Sequence, residues 1–217
     1  MLQVEEFFDL FGSYNEMYLT VILLTYVLAI IALLMVFRKS EYSNRFISLT
    51  LTFLWFWIGI VFGILVFGPT PAVMAGIEIA GAWYLFGSIF TIHGIILLYF
   101  GVIKDTASYS WKSDYRHYIG LIIILFGLVL YPFVGILTGR VFPEYPVFGI
   151  APCPVTLLTI GLLLWSDAKP SLPLMFIPIF WALMGIVPVL FYGVYADIGT
   201  ILAGIVALFY YVKWPTD

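Results

Sequence analysis

Apolar residues run in long blocks along this chain, and the polar positions gather between the blocks. A helix needs roughly 20 apolar residues to cross the hydrocarbon core of a bilayer. Seven stretches reach or approach that length, at about 17–37, 46–67, 77–103, 117–138, 148–165, 172–192 and 195–214. The pattern predicts an all-α fold, a polytopic membrane bundle of seven transmembrane helices over residues 17–217. Ahead of it, Phe7, Phe8 and Phe11 share one helical face with Glu6 and Asp9 opposite. Residues 1–16 therefore read as an interfacial segment on the outer surface.

Composition strengthens this reading. Hydrophobic residues make up 64% of the 217 positions and charged ones only 10%, too little polar surface for a compact domain in water. The lipid bilayer is then the main partner, and the expected location is the cell membrane, as a multi-pass protein. A net charge of −3 gives no footprint for nucleic acid. With seven spans, Arg38, Lys39, Arg45, Lys104, Lys112, Arg116, Lys169 and Lys213 fall on one side and only Arg140 on the other. The positive-inside rule then puts the N-terminus outside and the C-terminus in the cytoplasm.

Two pairs of segments resemble each other. "FWIGIVFGILVFG" in the second span matches "FWALMGIVPVLFYG" in the sixth, and "TIHGIILLYFGVIK" in the third matches "TILAGIVALFYYVK" in the seventh. Both pairs lie four spans apart, which suggests a 3+1+3 parallel repeat, a known transporter plan.

The fifth span is the odd one, because Cys153 sits in it between Pro152 and Pro154. Proline lacks the backbone N–H and is costly inside a helix, but the first turn leaves those donors unused. The helix should therefore begin between Ile150 and Thr156. From Pro152 to Trp165 it would rise only about 21 Å, short of a core about 30 Å thick. Irregular chain must then reach membrane depth, which is tolerated only where protein or water covers it. The spacing predicts a half-helix opening on an outward vestibule, with a thiol near water that labels from outside. The alternative is a small apolar cysteine packed between capping prolines.

At these residues the chain resembles an uncharacterised prokaryotic integral-membrane family, domain-of-unknown-function family 6064. That family carries an N-terminal Tyr-Asn and a segment F-G-x-P-C-P-T-T followed by T-x-G-x-L-L. The matching residues here are Tyr14, Asn15, Gly139, Arg140, Phe148, Gly149, Pro152, Cys153, Pro154, Thr156, Thr159 and Gly161, with "LFGSIF" in the third span. One extra residue within Ile150-Ala151 precedes Pro152, Val155 replaces a threonine, and His93 replaces a glutamine. The resemblance implies architecture and picks out residues, but it implies no reaction.

Ionisable groups within spans are expensive and default to functional hypotheses. Glu78, Arg140, Cys153 and Asp197 all map to the outer third and are the candidate ligand-binding residues. His93 lies deeper, where a hydrogen bond to a neighbouring helix is the simpler role. No catalytic motif or metal-ligand spacing appears, so no catalytic residue, metal or cofactor is assigned and an enzyme is not expected. A thiol or redox role for Cys153 is the weakest alternative. The leading expectation is a small-solute or ion transporter. The runner-up is a membrane assembly subunit or sensor, whose partner would be a second copy or another membrane protein.

Overall fold

A computed structural model of the chain describes residues 4–74 and 77–214. The described residues form eight helices: α1 (Val4–Met17), α2 (Leu19–Phe37), α3 (Ser43–Val66), α4 (Ala82–Ile103), α5 (Tyr115–Leu137), α6 (Pro152–Leu164), α7 (Leu172–Tyr192) and α8 (Asp197–Val212). Five of them, α2, α3, α4, α5 and α7, are long and apolar enough to cross a membrane by length and composition; α6 and α8 are shorter apolar helices.

The short α6 lies at the centre. All of its residues are buried, and it packs against α3, α5, α7 and α8. This explains how a helix of 13 residues can sit in an apolar bundle. It rises only about 20 Å, but protein surrounds its whole length. Val147, Phe148, Ile150 and Ala151 of that chain are buried as well. The helix starts at Pro152, inside the window the prolines set, and Ala151 before it is extended at φ −107°, ψ 144°, as a residue preceding proline prefers.

Glycines let the outer helices approach closely. A side chain on Gly63 of α3 would run into Gly87 of α4, and one on Gly59 would run into Thr91. A Cβ on Gly204 of α8 would meet Ala182 of α7 at 2.8 Å. Small residues serve this purpose in lipid-facing bundles. Helices α3, α4 and α5 each contain wide π-helical turns, at Trp57–Val66, Leu98–Ile103 and Phe126–Leu130. In α7, Pro178 lies inside the helix and a turn at Gly185 interrupts it.

Two expectations change. The third span does not begin at residue 77. Strands β1 (Ala72–Met74) and β2 (Ile77–Ile79) pair antiparallel there, with Val73 opposite Glu78, and α4 starts only after Gly81 at φ 75°. The head of the chain is a helix, as its pattern predicts, but its aromatic face packs on protein. Phe7 meets Tyr192 at 4.2 Å between ring centres, and Phe11 meets Phe67 at 5.0 Å.

Candidate functional site

The residues that the Tyr-Asn and Pro-Cys-Pro motifs single out meet at one place. Tyr14 on α1 donates its hydroxyl to the Ile150 carbonyl at 3.0 Å and accepts the Trp57 indole N–H at 2.9 Å. Burial pushes its ionisation well above the ordinary phenol range, so it stays a neutral donor. The Asn15 amide donates to the carbonyls of Pro143 and Tyr145. These bonds hold the irregular chain that leads into α6. Phe148 packs edge-on against Tyr26 at 5.1 Å. Gly149 sits at φ +89°, where any Cβ would collide with Thr25. Thr156 and Thr159 turn their hydroxyls onto the Pro152 and Val155 carbonyls within α6, and Trp55 donates to Thr159 at 2.9 Å.

The other end of α6 is capped from α5. Arg116, only 7% exposed, donates to the Leu164 and Ser166 carbonyls. Its guanidinium lies over the Trp214 ring at 4.4 Å. A cation at a helix C-terminus satisfies spare carbonyls and opposes the helix dipole. Nearby, partial burial works to raise the Asp167 carboxyl, but the Ser110 hydroxyl and Lys39 ammonium outweigh it and hold it below its ordinary value.

Cys153 and Asp197 come together at the first turns of α6 and α8. The Cys153 thiol faces Asp197, Tyr131 and Trp181. Asp197 is 1% exposed. Its Oδ1 accepts the Tyr131 hydroxyl at 2.7 Å and the Thr200 hydroxyl at 3.0 Å. The Trp181 indole N–H is buried beside the Cys153 sulfur and, among the described residues, reaches no oxygen or nitrogen acceptor. A cavity of about 70 Å³ opens beside this cluster, smaller than the roughly 300–1,000 Å³ of drug-sized sites. Phe7 and Phe11 of α1 close one side and Trp83 and Phe86 of α4 another. Val73 of β1 also lines it, and its backbone N–H donates to the Tyr192 hydroxyl at 2.9 Å. Apart from the cluster the lining is aromatic and aliphatic.

The other candidate residues lie elsewhere. Glu78 is on the exposed strand β2. Arg140 bonds both Glu5 carboxylate oxygens, at 2.8 and 3.0 Å, and lies over the Phe8 ring at 4.0 Å. It fastens α1 to the bundle and does not line the Cys153 pocket. The bond to Arg140 holds the Glu5 carboxyl below its ordinary value. His93 differs from expectation: it is fully buried, neither ring nitrogen has a hydrogen-bond partner among the described residues, and it packs edge-on against Trp55 at 4.2 Å. The thiol also differs, since Cys153 is 8% exposed and its pocket is walled by hydrocarbon. Sequence reasoning missed Tyr131, Thr200 and Trp181. The only signal for Tyr131 was a hydroxyl next to a mid-span proline, Pro132, while nothing set Thr200 or Trp181 apart from other threonines and tryptophans.

No curated protein and no solved structure matches the chain. The family described as Family of unknown function (DUF6064) matches residues 4–215, almost the whole chain, and the chain belongs to it.

Proposed function

We propose that this is a seven-span membrane protein, N-terminus outside and C-terminus cytoplasmic, that takes a small, mainly apolar solute into the pocket at the Pro-Cys-Pro half-helix as the outward vestibule of a transporter. The observation that carries the reading is the pocket itself: apolar walls converging on one small polar cluster at the start of an enclosed half-helix. That is the usual make-up of a small-molecule site. The apolar walls favour a solute over a bare ion, which would lose its hydration with little in return.

Further support comes from symmetry and from the helices. The hairpins α3–α4 and α7–α8 are each closely packed, and they are the two pairs whose sequences resemble each other. The interruption of α7 at Gly185 lies near the pocket residues Met184 and Val187, a place for one wall to move. The assembly reading draws on a different observation. α2 is the least enclosed of the long helices, and Leu23, Val27, Ile30 and Leu34 expose a face that lipid, a second copy or another membrane protein would cover.

Reactivity of Cys153 tests the pocket. In native membranes, methyl methanethiosulfonate, small and uncharged, should modify the thiol slowly. Replacing Phe7 and Phe11 with alanine should speed modification by about tenfold or more by opening the α1 side. A thiol that reacts only after denaturation in both proteins would show that no occupiable pocket exists there.

A further inference from the structure

The pocket has two polar groups that its own residues satisfy only in part. Trp181 is 8% exposed, and among the described residues its indole N–H has only the Cys153 sulfur, a weak acceptor, beside it and no oxygen or nitrogen. A poorly satisfied buried donor is costly, so an occupant should bring an oxygen or nitrogen lone pair to it. The Tyr131 and Thr200 hydroxyls both donate to Oδ1 of Asp197, and the Cys153 thiol is a third, weaker donor beside it. A carboxylate has about four lone-pair sites, so Asp197 has room for a donor from the occupant.

We propose that the occupant is a mainly apolar molecule carrying one hydroxyl, an alcohol or a phenol, which accepts from Trp181 and donates to Asp197. The inference rests on the pocket reading above. An ether or ester offers acceptors only and would set its lone pairs against the carboxylate. An ammonium offers donors only and brings Trp181 no acceptor. A carboxylate is repelled by Asp197. A hydroxyl meets both demands with one atom, and the aromatic rings of Phe7, Phe11, Trp83 and Phe86 cover the rest of the molecule.

A benzene series separates the classes, with protection of Cys153 from methyl methanethiosulfonate as the site-specific measure of binding. In purified full-length protein, phenol should protect at a concentration about tenfold lower than anisole or toluene. Trp181→Phe should remove most of that advantage and leave toluene unchanged. Asp197→Asn should also reduce it, and Trp181→Phe carries the test alone if the Asp197 variant fails to fold. Equal protection by all three compounds would overturn the hydroxyl inference while the pocket reading stands. Stronger protection by benzylammonium, lost in Asp197→Asn, would overturn it in favour of a cation site. Absence of protection by every compound would overturn both the inference and the pocket reading.

Discussion

Tyr14 joins three parts of the chain through one oxygen: α1, the irregular strand before α6, and Trp57 of α3. Tyr14→Phe keeps the ring but leaves a buried carbonyl and a half-buried indole N–H without their partner. The expected cost is about 1–3 kcal/mol, seen as a thermal midpoint lower by roughly 2–4 °C per kcal/mol. His93 makes the opposite case. Its two ring nitrogens already lack partners, so an apolar replacement gives up no hydrogen bond. His93→Leu should be neutral within about 1 kcal/mol or stabilising; a loss above about 2 kcal/mol would show that the ring nitrogens serve a polar group after all. At this scale the sequence was informative where a residue type was rare. Cys153 and Asp197 stood out in apolar runs and lie together. Tyr131, Thr200 and Trp181 complete the same cluster but belong to residue types spread along the whole chain, and no spacing rule links positions so far apart.

Among the elements, α1 is tied to the bundle by its aromatic face and by Arg140 bridging to Glu5. The folded Glu5 carboxyl titrates below its ordinary value of 4.5 because Arg140 bonds it. Its contribution to folding is therefore fully present above that value and fades as pH falls through the lower folded one. The gap in thermal midpoint between the wild type and Glu5→Gln, present at pH 7, should close as pH drops below 4.5. A gap that stays constant would mean that charge plays no part in holding α1. Element boundaries were legible where backbone chemistry dictated them. Pro152 and Pro154 fixed the start of α6, and the 3.6-residue spacing of Phe7, Phe8 and Phe11 marked α1. What the apolar face of α1 packs against was not legible, because a periodic pattern looks the same against lipid and against protein. The pairing of Ala72–Met74 with Ile77–Ile79 was hidden for a related reason: these strands are nearly as apolar as the span they adjoin.

For the whole molecule, the central fact is that a helix too short to cross a bilayer is enclosed by longer ones, with a pocket at its Pro-Cys-Pro end. Composition made the helical, apolar character plain. The enclosure of α6 was not readable, because it depends on which helices are neighbours, and seven apolar segments can be arranged in many ways. The account requires the pocket end of the bundle to face outward, with α1 on that side and the loop between α4 and α5 in the cytoplasm. Ser13 on α1 and Ser113 in that loop are both exposed, so single cysteines at these sites in a Cys153→Ser background report directly. With an impermeant maleimide on intact cells, Ser13→Cys should label at once and Ser113→Cys only after the membrane is opened. Labelling of both in intact cells, or of Ser113→Cys alone, would contradict the account.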